Sequence, residues 1–382
     1  MKNKTINTIL SLLVILIVST TVSNAKHRSF NQNLGFSYTV PGSDNYKKFE
    51  TELVDNKLSK LVQKELDNQD KTGLSNYLLF ENGKIVINKK NYTDEIKKNK
   101  NVLRSNSVGK SMISYVVGHA VCKGYIDNVN VKLNDWNVLS DTLYADNTLL
   151  QVLNMTSGDH KFIGEKNFRG GDGYFNGEKH RQIQKRTVAE SMLWFKGTKK
   201  KRKNSPYNYS AMSTYVAINY AIHKMSKDYE KVLKEIFTDH VGVKNDVHFA
   251  KISFSKNDVA KGSQRYTFFA TSEDYLRIAK TIYDDYNSDS CIGDYLRTIY
   301  DNRVNKNKKD YVKNKSISQY TKQYGGQFHM SLIGMKKHVI FAMDGLGGQQ
   351  VIIDMTNGRI MIVNSIDRHY DWNKIVYKPL KN

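Results

Sequence analysis

The chain has 382 residues, 39% of them hydrophobic, with 24 Tyr and 15 Phe, enough apolar mass for one large domain or two lobes and too much for a disordered chain. Its net charge of +22 admits an anionic partner, such as a wall polymer, a lipid headgroup or an acidic substrate, or reflects a Lys- and Asn-biased composition spread over solvated faces. No zinc-finger or RNA-binding signature accompanies that charge, so nucleic acid is not expected as a partner.

Met1 to Ala25 reads as an export signal: Lys2 and Lys4 form a basic start, Ile9 to Val18 an apolar core, and Ser23-Asn24-Ala25 a small-residue cleavage site. The apolar run is short for a membrane span, and an uncleaved anchor is the alternative. This places the chain outside the cytoplasm, periplasmic or secreted. Residues 26–73 read as a polar, extended lead-in followed by a helix over Phe49 to Leu66, where Leu53, Leu58, Leu61, Val62 and Leu66 recur at helical spacing. Tyr77 to Phe80 and Ile85 to Ile87 flank Asn82-Gly83, the signal of a β-hairpin.

Ser107-Val108-Gly109-Lys110 heads the apolar run Met112 to Cys122, which closes at Gly124. In a helix, Ser107 and Lys110 share one face about a turn apart, and apolar residues all round mark a buried helix. A hydroxyl beside an amine of lowered pKa makes a nucleophile with its own base. The tetrapeptide alone is a weak sign in so Lys-rich a chain. Cys122, on this helix, reads as a buried thiol; a bridge to Cys291, the other cysteine, stays open.

Thr148 is placed to cap a short helix over Leu149 to Leu153. Gly170-Gly171-Asp172-Gly173 and the cluster Lys199 to Lys203 read as loop, the latter solvated. Helices follow over Met212 to Met225 and Tyr229 to Phe237, and Ser272 is expected to cap another reaching about Tyr286. The end of the chain turns β-rich at His338 to Met343, Gln349 to Asp354 and Arg359 to Asn364. The ten histidines show no His-Glu-x-x-His or other tight ligand spacing, so neither a metal nor a cofactor is expected.

Three segments then stand in register: Ser107-Val108-Gly109-Lys110, Tyr207-Asn208-Tyr209-Ser210-Ala211 and Asp344-Gly345-Leu346-Gly347-Gly348-Gln349. With Lys123-Gly124-Tyr125-Ile126-Asp127 and Leu149 to Gly158, they resemble the serine β-lactamase-like hydrolases. That family embraces class C β-lactamases, D-alanyl-D-alanine carboxypeptidases, esterases and 6-aminohexanoate-dimer hydrolases. The Gly-Gly-Gln ending is nearest the last of these, and the likeness runs from about Leu74 to Val363.

The resemblance implies an α+β fold of the β-lactamase/transpeptidase type. An antiparallel sheet built from both chain ends is flanked by helices, and residues 74–382 form one domain with a mainly helical lobe inserted at about 125–290. It implies Ser107 as acylated nucleophile, with Lys110 and Tyr209 as proton-transfer groups; Tyr207 is the near rival of Tyr209. The backbone N–H groups of Ser107 and Gln349 would form the oxyanion hole, and Leu346, Gly347 and Gly348 would line the substrate. Two departures stand out: Ala211 replaces an Asn that contacts the substrate amide, and Leu346 stands where Lys or His is usual. Both remove polar contacts that a penicillin or D-alanyl-D-alanine would use, which favours an ester or a linear amide. A carboxypeptidase acting on peptidoglycan and a catalytically silent wall-binding homologue are the alternatives. Asp344 reads as a turn residue, or as a group orienting a substrate amine.

Overall fold

The computed structural model describes residues 37–159, 173–175, 178–180, 186–199, 205–251, 261–311 and 316–381. The export signal of residues 1–25 and the cluster from Lys200 to Lys203 lie outside them.

The strands Ile340–Gly345, Gln349–Asp354 and Ile360–Ser365 are buried at nearly every residue because both faces of their sheet are covered. On one face Leu78, Phe80, Phe341, Met343, Val351, Ile353, Ile360 and Ile362 join the main core with helix Gly109–Cys122 and helix Ser272–Tyr286. On the other, Tyr77, Leu79, Ile340, Ile352, Met361 and Val363 pack on helix Lys57–Asp67 and the C-terminal residues Trp372, Ile375 and Val376. Burial on both sides removes the alternation expected of a half-solvated antiparallel sheet.

This sheet has nine strands, in the order Val304–Asn305, Thr321–Gly325, Phe328–Leu332, Ile340–Gly345, Gln349–Asp354, Ile360–Ser365, Leu74–Glu81, Lys84–Lys90, Glu50–Thr51. Its centre joins Ile360–Ser365 to Leu74–Glu81 antiparallel, with Ile362 opposite Leu78. The expected union of the two chain ends is therefore present, and the fold is α+β. Only the two-residue strand Glu50–Thr51 runs parallel to its neighbour.

Some boundaries differ from expectation. The first helix begins at Lys57, capped by Asn56, because Glu50–Thr51 joins the sheet edge. Thr271, not Ser272, caps the helix to Tyr286, its hydroxyl accepting from the N–H of Asp274. Thr148 caps Leu149–Leu153 in a full capping box with Gln151. The inserted lobe also carries strands. Val247–Lys251 and Gln264–Ala270 form a second sheet with Ser37–Val40 and Leu103–Arg104, so part of the lead-in is strand rather than loose coil. Gly173 opens a short strand paired with Glu178–His180, where loop was expected.

Cys122 is not a free buried thiol: it is disulfide-bonded to Cys291, 169 residues away, tying the end of the helix that follows Ser107 to the start of helix Cys291–Asp301. Closing so long a loop restricts the unfolded chain and stabilises the fold by about 2–4 kcal/mol. Reduction, or paired Cys122→Ser and Cys291→Ser substitution, should lower the unfolding midpoint in denaturant accordingly; an unchanged midpoint would show that the bridge does not form.

Candidate active site

Ser107 lies in the 3-10 turn Asn106–Val108, which runs directly into helix Gly109–Cys122. Asn106, just before it, has φ 47°, in the left-handed region that Asn tolerates better than most residues. A strand and a hairpin turn grip this 3-10 turn from two sides. Ser105 donates its N–H to the Phe268 carbonyl at 2.8 Å, and its hydroxyl accepts from the Phe268 N–H at 2.8 Å. From the other side, Asn106 Nδ2 donates to the Leu346 carbonyl at 2.6 Å. Gly109 and Gly345 permit both approaches: a Cβ on Gly109 would fall 1.8 Å from the Tyr266 carbonyl oxygen, and one on Gly345 2.5 Å from that of Ser105.

Lys110 is one turn on, as the spacing requires, and is 1% exposed. Its Nζ has no hydrogen-bond partner among the described residues; instead it lies 3.1 Å from the ring centroid of Tyr266 and 5.4 Å from that of Tyr209. Burial holds its pKa well below that of an ordinary lysine. The ring contacts favour a charged amine, but loss of hydration outweighs them.

Ser107 stands beside the phenols of Tyr209 and Tyr266. Burial pushes both phenols above their usual range by more than the Ser107 hydroxyl lowers them, so both are protonated at neutral pH. Tyr207 lies beside them but packs with Met155 and Tyr324 instead. Of the two candidates, it is Tyr209 that reaches Ser107. Ser107, Lys110, Tyr209 and Tyr266 thus line one cleft of about 860 Å³, together with Ala211, Leu346 and Gly347.

The sequence matches no protein-family model, and no curated protein matches it. Solved structures do. A Bacillus anthracis protein provisionally named a 6-aminohexanoate-dimer hydrolase superposes with TM-score 0.58 at 14% identity, over 90% of this chain and 89% of that one. A family VIII carboxylesterase gives 0.56 at 11%, over 85% and 95%. A D-stereospecific amidohydrolase from Streptomyces sp. gives 0.55 at 13%, over 83% and 97%. This is the serine β-lactamase-like fold.

Within that fold the third expected segment needs correction. Gln349 does not line the cleft: it pairs with Gly345 in the hairpin and is 1% exposed, its side-chain amide bonded to the backbone N–H and carbonyl of Ser365. Gly348 is likewise absent from the lining, whereas Gly345, Leu346 and Gly347 face the cleft and Leu346 is 75% exposed at its mouth. The reason is the tight turn over 346–348, which leaves Leu346 and Gly347 on the cleft and carries the next strand away.

Several cleft residues carry no sequence signal. Tyr266 is one tyrosine among 24, and only the pairing of Gln264–Ala270 with Leu103–Arg104 brings it to Ser107. Tyr215 stacks on it at 5.2 Å, and the Arg265 guanidinium lies 4.1 Å from the Tyr215 ring. On the far wall Lys306 donates to the Ser318 carbonyl at 2.7 Å and to Thr321 Oγ1 at 2.8 Å, and burial lowers its pKa to about 7. Asp344 is more than a turn residue: it pairs with Arg368 at 2.7 Å, and Arg368 also donates to the Gly345 carbonyl at 2.7 Å, steadying the turn.

Because folding lowers the proton affinity of Lys110, the unfolded chain binds the extra proton between that depressed pKa and 10.5. Stability therefore rises with pH through this window. Lys110→Met should raise the melting temperature relative to wild type at pH 7, and the difference should shrink towards pH 10.5. A destabilised variant at pH 7 would mean that the amine is held charged.

Proposed function

We propose that this protein is a serine hydrolase that cleaves an ester or a linear amide through an acyl-enzyme on Ser107. One observation carries the reading: a serine and two protonated phenols lining one cleft, with a desolvated amine lying over the rings of both.

In the acylation step, Ser107 Oγ bonds to the substrate carbonyl carbon. Its proton passes through the Tyr209 phenol to the neutral amine of Lys110, which needs only a local side-chain movement to accept it. The tetrahedral oxyanion is held by the N–H of Ser107 and by backbone N–H of the Gly345–Gly347 turn, in place of the Gln349 donor. Each such donor contributes about 10²–10³ in rate. Collapse breaks the bond to the leaving group, which takes the proton back, and water then attacks the acyl carbon with the same groups acting as base. Ala211 and the exposed Leu346 give the substrate apolar contacts where related enzymes present polar ones, which supports an ester or linear amide over a β-lactam.

The reading includes export. The disulfide Cys122–Cys291 suits an oxidising compartment, and the basic, apolar and small-residue order of residues 1–25 supports the same placement.

A fluorophosphonate probe should label the wild-type protein and leave Ser107→Ala unlabelled; a folded, unlabelled wild type would overturn the proposal. Tyr209→Phe should lower turnover of p-nitrophenyl esters about 10²-fold or more. Tyr266→Phe, which keeps the ring beneath Lys110 and removes only the hydroxyl, should cost less. The reverse order would make Tyr266 the relay. Release of D-alanine from a peptidoglycan pentapeptide at a rate above ester turnover would instead identify a carboxypeptidase.

A further inference from the structure

At the other end of the helix that begins beside Ser107, three side chains from three elements converge. His119 lies in the last turn of Gly109–Cys122, His240 ends the π-helical turn Glu235–His240, and Asp285 lies in the last turn of Ser272–Tyr286. One ligand-capable atom of each lies within 4.8 Å of the other two. His240 Nε2 is 3.0 Å and 3.1 Å from the two carboxylate oxygens of Asp285, and its ring is 5.5 Å from that of His119.

His119 is 9% exposed, and its Nε2 has no hydrogen-bond partner among the described residues. A buried nitrogen left in that condition is costly and rare. It belongs to the ring that packs edge-to-face against His240, beside the Asp285 carboxylate, where an ion between the imidazoles and the carboxylate would be in reach.

The surroundings support such a group. The Tyr115 ring packs edge-to-face on His119 at 4.6 Å, while its hydroxyl donates to Asp285, so one residue orients two of the three side chains. This is how outer partners hold ligands in metal centres. The nearby cation Lys123 is paired with Glu235 at 2.5 Å. The disulfide lies close by in the chain: Cys122 is three residues beyond His119, and Cys291, at the start of helix Cys291–Asp301, is six beyond Asp285. π-helical turns, such as the one that carries His240, are frequent at functional sites.

We propose that His119, His240 and Asp285 bind a divalent transition-metal ion of the Zn²⁺ type. Two imidazoles and one carboxylate form an N/O donor set that suits Zn²⁺, with the fourth position open to water on the side of His240, whose side chain is 43% exposed. Two ligands each about 2.0–2.1 Å from a tetrahedral zinc ion lie about 3.3 Å apart, and His240 Nε2 and the Asp285 carboxylate, at 3.0 Å, already stand near that spacing. The site is about 18 Å along the helix from Ser107, at 1.5 Å per residue, and so stands apart from acyl transfer. Its effect is to tie together the ends of two helices and the π turn.

The test uses the full chain stripped with EDTA. Stoichiometric Zn²⁺ should raise the melting temperature by several degrees, and Co²⁺ should develop the visible absorption of a low-coordinate site. His240→Ala, at an exposed position, should weaken Zn²⁺ binding at least tenfold, and Tyr115→Phe by about tenfold. No thermal shift and no Co²⁺ spectrum in wild type would overturn the proposal. So would a Zn²⁺ shift that survives undiminished in His240→Ala, which would assign the ion to other histidines.

Discussion

The arrangement of the cleft depends on an amine deprived of water. Lys110 is enclosed by two aromatic rings with no hydrogen-bond partner among the described residues, and its charged form loses more hydration than the rings return. That imbalance holds its pKa well below that of an ordinary lysine. An aromatic lining permits this, because a carboxylate at the position of Tyr266 would hold the lysine charged. Under the proposed mechanism, the fold carries an unfavourable group here as the cost of a proton acceptor.

Holding that amine in place requires backbones to approach closer than side chains allow. The nucleophile turn is gripped between a strand of the small sheet and a hairpin of the large one, and each contact occurs at a glycine whose Cβ would overlap a carbonyl oxygen. Gly109 admits the strand that carries Tyr266, and Gly345 admits the approach of the hairpin to the Ser105 carbonyl. The serine thus stands at the junction of two sheets, and neither sheet alone would define its surroundings. Asp159 extends the support to Tyr209: it accepts hydrogen bonds from Tyr144 and from Ser210, the residue that caps helix Ala211–Met225.

The cleft has two unlike walls. One is the stack of Tyr266, Tyr215 and Arg265, in which burial brings even the guanidinium down to about 10. The other is polar, with Lys306, His329 and the Asp344–Arg368 pair. Burial and the nearby Lys306 and Arg368 charges keep His329 neutral. The exposed Leu346 forms an apolar lip above the hydroxyls of Ser107, Tyr209 and Tyr266.

Local sequence was sufficient wherever a feature depends on near neighbours. The Asn82-Gly83 hairpin, the Thr148 capping box, the buried helix after Ser107 and the apolar C-terminal strands follow from turn chemistry, capping and hydrophobicity over a few residues. Ser107, Lys110 and Tyr209 were legible because the first two are a helical turn apart and the third lies in a segment of familiar pattern. Contacts between distant strands left no such trace. Tyr266 is recognisable only after Gln264–Ala270 pairs with Leu103–Arg104, and Gln349 is excluded from the cleft only by the turn geometry of 346–348. Cys122 meets Cys291, and His119 meets His240 and Asp285, across separations that no periodicity spans. The sequence by itself determined the main helices, the central strands of the large sheet and most of the residues that could carry the chemistry. Tertiary packing alone decided which side chains meet and which of them lose their water, because desolvation is a property of the assembled surroundings and not of any residue.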